Sequence, residues 1–179
     1  FTFGGGYTQQ LDRLEDEFRR SREKFVEHYR RTYDPPALPP LWIATELMTF
    51  GALSMWVDRI RDNAIKTDIA RDLGLGNRGL MKGTIQSLSY VRNICAHHAR
   101  LWNRSLVKRP PKFNVLLSSL TLEPTQPSEV DNSIYNILTF LVHLLRKQSP
   151  DTSFAQRVSD LIDAQPAFVA QGMGVPADW

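Results

Sequence analysis

Among the many charges of residues 8–33, Leu11, Leu14, Phe18, Phe25, Val26 and Tyr29 recur three, four and seven positions apart. That spacing lays one apolar face along a helix of about 3.6 residues per turn and predicts a single long amphipathic helix. Asp34-Pro35-Pro36-Ala37-Leu38-Pro39-Pro40 ends it, because proline removes backbone donors and biases the preceding residue to extended geometry. A second helix is expected over residues 40–61. Its Leu41, Trp42, Ala44, Leu47, Met48, Leu53 and Trp56 are apolar nearly all round, so it should cross the core. Glu46 sits inside it as a supporting site residue. Its carboxylate either pairs with an arginine of the central helix or faces solvent.

Thr67 and Gly74 bracket a short helix as N-cap and terminator. Gly74-Leu75-Gly76-Asn77-Arg78-Gly79 carries the letters of a dinucleotide fingerprint, but it follows a helix in a chain with no convincing strands. It therefore reads as a turn feeding a central helix over residues 78–103. Beyond the break at Lys108-Arg109-Pro110-Pro111-Lys112, residues 114–129 are irregular. The next helix should begin at Ser128 to Asp131 and run through Ile134, Ile137, Leu138, Leu141 and Leu145 toward Pro150, with His143 in the packing. A last helix is expected over residues 152–164, then Pro166 and a tail, 166–179, whose Trp179 docks on the body. The glycine-rich residues 1–7 lack the Lys-Ser/Thr of a phosphate loop and read as a flexible lead-in. The pattern is that of one all-α domain.

Composition narrows the partners. With 179 residues and 42% hydrophobic content, one core suffices. The net charge of +3, from 22 basic and 19 acidic residues, permits an RNA partner without demanding one. The first helix's Arg19, Arg20, Arg30 and Arg31 are interleaved with Asp16, Glu17, Glu23 and Glu27, as in a solvated, salt-bridged face. The single Cys95 excludes an internal disulfide, and no Cys/His spacing suits zinc, so a cytoplasmic location is natural and no metal or other cofactor is expected. No leader is visible in a chain that opens at Phe1, and no apolar run is long enough to span a membrane.

The candidate chemistry lies between Tyr90 and Arg104. On a helix extending to residue 103, Asn93, His97, Arg100 and Arg104 fall within about 60° of one another and form a polar stripe. Val91, Cys95, Ala99 and Trp102 face the other way, into the core. Arg92 can swing toward the stripe, and His98 points nearer the apolar side. Cleaving RNA without a metal needs proton carriers and a cation for the phosphorane-like transition state. Imidazole exchanges protons near neutral pH. Guanidinium offers paired donors to two phosphate oxygens. His97 and Arg92 suit these tasks, with Asn93 one turn before His97 to orient the ring or the phosphate. His98, Arg100, Arg104 and Lys108 could hold neighbouring phosphates. The same residues also suit a structural polar network or a site that binds phosphates without cutting.

Arg92-Asn93 followed by His97 resembles the Arg-polar-x-x-x-His signature of the HEPN superfamily. The longer string Arg92-Asn93-Ile94-Cys95-Ala96-His97-His98-Ala99-Arg100-Leu101-Trp102-Asn103-Arg104 resembles the Abi-like family of bacterial abortive-infection proteins. Leu38-Pro39-Pro40-Leu41-Trp42 with Glu46 and Phe50-Gly51-Ala52-Leu53-Ser54, and the tail Met173-Gly174-Val175-Pro176-Ala177-Asp178-Trp179, resemble it too. The resemblance implies a HEPN-like helical bundle and a metal-independent endoribonuclease used against phage and restrained until infection, with a regulatory small RNA or antitoxin as a candidate partner that no residue here identifies. Because one stripe carries one histidine, the second proton carrier would come from a two-fold partner, which is how the superfamily is understood to build its site. A non-catalytic RNA-binding or partner-binding module on the same fold is the alternative.

Overall fold

The computed structural model describes residues 6–33, 38–123 and 126–177. The helix-stopping Asp34 to Ala37, most of the expected lead-in and Trp179 lie outside the described residues. The fold is all-α, as expected, with one small antiparallel hairpin added. Two compact units divide the chain, Phe1–Asn63 and Ala64–Trp179.

In the first unit the predicted long helix is two, α1 (Tyr7–Arg20) and α2 (Lys24–Thr32). Ser21 and Glu23 are both extended, with ψ of 135° and 133°, and they interrupt the hydrogen-bond ladder. Two carbonyls at the end of α1 are taken by Arg30 of α2, whose guanidinium donates to those of Arg19 (2.6 Å) and the C-cap Ser21. The same guanidinium lies 5.8 Å from the centre of the Phe18 ring. No glycine or proline marks this break, so periodicity alone runs through it. Phe18, Val26 and Ile43 form the unit's buried cluster, flanked by Phe25, Tyr29 and Leu47. Asp16 pairs with Arg19 and Arg20 on the exposed face, which is the salt-bridged arrangement expected there.

The second predicted helix is also divided, into α3 (Leu41–Leu47) and α4 (Phe50–Arg59). Met48 turns out of the helix at ψ 137°, and the Thr49 hydroxyl accepts from the Ala52 amide at 3.1 Å to start α4 afresh. This apolar stretch does not cross a core. Only Ile43 and Ala44 of α3 are buried, none of α4 is, and Leu41 and Trp42 are 74% and 59% exposed.

The second unit opens with α5 (Asn63–Asp72), which starts four residues before Thr67, so that Thr67 lies inside it rather than capping it. Gly74 terminates α5 at φ +75°, as predicted. The glycine-rich turn feeds α6 (Arg78–Ala96), whose N-cap Asn77 accepts from the Leu80 amide at 3.0 Å. A 3₁₀ helix (Asn114–Ser119) precedes the hairpin of β1 (Leu122–Glu123) and β2 (Gln126–Val130), in which Leu122 faces Val130. Then come α7 (Ile134–Gln148), α8 (Phe154–Asp163) and α9 (Ala167–Gly172).

A strand therefore occupies Ser128, where a helix start was expected, and one side chain explains the difference. The fully buried Asn136 of α7 accepts from the Thr121 amide (2.9 Å) and donates to the carbonyls of Thr121 (2.9 Å) and Asp131 (3.0 Å). These bonds tie the approach to β1 and the exit from β2 to the helix, and α7 begins only at Ile134. Val91, Ile94, Leu106, Ile134 and Ile137 form the core between α6 and α7. His143 packs as expected: its Nε2 lies 2.9 Å from the Gly74 carbonyl oxygen and its ring stands edge-on to Phe113. Among the described residues, no helix is long and apolar enough to cross a membrane.

Candidate functional site

Met81, Thr84, Ser87, Val91 and Ile94 are the buried side of α6, spaced three and four apart. Arg92 and Asn93 consequently stand on its solvent side near the C-terminus, both exposed. The Arg92 Nη1 donates to Asn93 Oδ1 at 3.3 Å, so the carboxamide leans on the guanidinium. His97 is the C-cap, and its amide still donates to the Asn93 carbonyl at 3.0 Å, one turn back. Arg92, Asn93 and His97 thus gather at the end of one helix, with all three side chains open to solvent.

The helix does not continue to residue 103. Ala96 is its last residue, because His98 adopts the left-handed conformation at φ +52° and turns the chain. The His98 amide returns to the Cys95 carbonyl (2.9 Å) and the Ala99 amide to the Ile94 carbonyl (3.0 Å), closing the carbonyl end of α6. Arg100 and Arg104 accordingly lie on the following loop and not on a helical stripe. They remain neighbours, since Arg104 Nη1 lies 3.4 Å from the Arg100 carbonyl oxygen. His98, Arg100 and Arg104 are all exposed. Within this unit, among the described residues, no carboxylate forms a salt bridge with Arg92, Arg100 or Arg104.

Lys108 is exposed on the next bend, and the chain just after it is held against α6. The Ser87 hydroxyl lies 2.8 Å from the Arg109 carbonyl oxygen, and a Cβ on Gly83 would meet Pro111 at 3.2 Å. The basic stretch is therefore anchored along the same helix that carries Arg92. Glu46 belongs to the first unit, where it is exposed on α3 and needs no buried partner. Cys95 is exposed rather than core. With the helix ended at Ala96, it lines an open apolar groove of about 420 Å³ with Val91, Leu101, Trp102, Leu138 and Met173.

Periodicity also did not reveal that Trp102 anchors the loop. Its indole Nε1 donates to the Val169 carbonyl of α9 at 3.1 Å, and its ring stands edge-on to Phe168. Nothing local in the sequence marks that partner, which lies 67 residues away. Chemically, the arrangement offers one helix end with an accessible imidazole and an accessible guanidinium that bonds a neighbouring carboxamide, bordered by a loop with two more guanidinium groups. Among the described residues, no three His, Cys, Asp or Glu side chains converge to hold a metal ion.

The profile of the family described as Abi-like protein matches residues 4–103, which takes in α1 to α6, His97, His98 and the loop as far as Asn103. No curated protein and no solved structure matches the chain.

Proposed function

Since the chain belongs to the Abi-like protein family, we propose that it is a metal-independent endoribonuclease of a bacterial abortive-infection system, working in the cytoplasm as a symmetric homodimer. One observation carries this reading. Arg92, Asn93 and His97 are all exposed at the end of α6, with the Arg92 guanidinium paired to no carboxylate among the described residues, where a purely structural polar network would have buried them. The arrangement also resembles the HEPN signature.

In the proposed reaction, His97 accepts the proton of a ribose 2′-hydroxyl as its oxygen attacks the adjacent phosphorus. The 5′-oxygen leaves and takes a proton from a second imidazole, His97 of the other copy. The products are a 2′,3′-cyclic phosphate and a 5′-hydroxyl. Arg92 grips two non-bridging oxygens and stabilises the charge that accumulates on them. Asn93 orients the guanidinium through the contact already present. His98, Arg100, Arg104 and Lys108 hold flanking phosphates. An antitoxin or small RNA that covers the exposed end of α6 would restrain the enzyme in uninfected cells.

The test is incubation of cellular RNA in chelator with the wild-type protein and with His97→Ala, followed by end-group analysis of the products. Cyclic phosphate ends from the wild type alone, with RNA binding preserved in the variant, support the proposal. Equal behaviour of the two proteins would reduce the site to phosphate binding.

A further inference from the structure

The loop after α6 is held at four points. Ala99 bonds back to Ile94 at its start, and the Leu106 amide donates to the Asn132 carbonyl at 2.9 Å at its end. Between them, α9 supplies two acceptors. The Asn103 amide donates to the Gly172 carbonyl at 2.9 Å and the Trp102 indole to the Val169 carbonyl at 3.1 Å. Gly172 is the last residue of α9, and the final carbonyls of a helix have no partner in its own ladder. One of them is thus spent on the loop.

The fit around Trp102 is close. A Cβ at Gly172 would lie 2.7 Å from the indole Nε1 and 2.8 Å from Cε2, so this glycine is the surface on which the indole rests. Asn103 stands in the left-handed region at φ +48°, which asparagine tolerates better than most residues, and its amide meets α9 from that turn. Arg100 and Arg104 sit two residues to either side of Trp102. Fixing Trp102 and Asn103 therefore fixes the backbone from which both guanidinium groups project.

We infer that α9 is a latch, and that Trp102 and Gly172 are positioning residues which hold Arg100 and Arg104 toward RNA. The inference rests on the proposal above that this loop contacts RNA. It adds that residues beyond the family match, Val169 and Gly172, set the geometry of the site. With the latch closed, the loop meets RNA already ordered. With it open, ordering the loop must be done at the expense of binding.

Gly172→Ala should push the indole away while leaving the helices intact. Trp102→Phe keeps an aromatic ring but loses the N–H donor, and serves if the first variant folds poorly. Both are compared with wild type by circular dichroism, by hydrogen exchange over residues 99–106 and by binding of a 2′-deoxy-substituted RNA that cannot be cut, at several salt concentrations. Unchanged helical content, faster exchange in the loop and roughly tenfold weaker binding are expected. The salt slope should fall by about 1.4, corresponding to two lost phosphate contacts on a single strand. In an Arg100→Gln/Arg104→Gln background, Gly172→Ala should cost no further affinity.

Unchanged exchange in both variants would show that α9 does not restrain the loop. Faster exchange with unaltered binding would show that the restraint does not position the arginines. Either result overturns the inference. A wild-type protein that binds no RNA would overturn the functional proposal as well, and is told apart because it appears before any substitution is made.

Discussion

The amide of Ala99 donates to the carbonyl of Ile94 across 3.0 Å, with His98 between them at φ +52°. Two other helices of the same unit end in the same way on glycine. Leu75 bonds to Ala70 around Gly74 at φ +75°, and Val175 to Ala170 around Gly174 at φ +78°. At the motif helix, a residue with a Cβ occupies the turn.

His98→Gly should therefore stabilise the protein by about 0.5–1 kcal/mol, the relieved left-handed strain exceeding the added freedom of the unfolded chain. His98→Val, β-branched, should destabilise it by about 1 kcal/mol. Urea unfolding of the three proteins checks both signs. If His98 also touches RNA as proposed, the glycine variant will be more stable yet bind RNA less tightly.

Asn136 is fully buried and bonds three backbone groups of the segments flanking the hairpin. Asn136→Ala strips this partner from the Thr121 amide and the Asp131 carbonyl, while the Thr121 carbonyl keeps the Asp131 amide at 2.8 Å, and should cost about 2–4 kcal/mol. Asn136→Asp keeps an acceptor for the Thr121 amide but loses both donations and should also destabilise. Chemical denaturation gives the magnitude, and faster exchange at the Thr121 and Asp131 amides would locate the damage at the hairpin.

Asn77→Ala removes the side-chain acceptor at the start of α6 and should lower stability by about 1 kcal/mol, with Asn77→Ser restoring most of it. Because the cap lies at the opposite end of the helix from Arg92, cleavage per folded molecule should stay at the wild-type level. A thermal melt and an activity assay well below the midpoint separate the two effects.

Arg92→Lys keeps the charge but loses the planar fork and the contact with Asn93. Cleavage should fall by about 10²-fold with RNA affinity changed only a few-fold, the pattern of a group that acts on the transition state. Single-turnover rates and binding of uncleavable RNA measure the two quantities.

Elements bounded by strong local signals were legible in the sequence. Gly74 ends α5 and Asn77 opens α6, as glycine at a left-handed cap and asparagine at an N-cap should. The breaks at Ser21, Met48 and His98 were not legible, because each lies in a run that keeps its helical spacing and contains neither glycine nor proline at the turn. Arg30 reaches back to α1 from eleven residues away and Ala99 closes on Ile94 around a left-handed histidine, while at Met48 the cap that restarts the chain, Thr49, is local but sits inside an unbroken apolar run. The hairpin was hidden for a related reason, since the residue that tethers it, Asn136, reads from sequence as one polar position in an apolar helix. At the candidate site, the placing of Arg92, Asn93 and His97 near one helix end was legible from their spacing, since Arg92 and Asn93 lie in the last turn of α6 and His97 is its C-cap. Arg100 and Arg104 could not be placed without knowing where that helix stops.

The clamps on either side of Lys108 have a practical corollary for anyone handling the protein. Leu106 is buried and its amide is bonded to Asn132, while Arg109 and Pro111 are pressed against α6, so the free span is only Val107 and Lys108, with Val107 79% exposed. That bend is a place where limited trypsin digestion should nick the second unit, after Lys108, and where an inserted affinity tag would be accommodated without loosening either anchor.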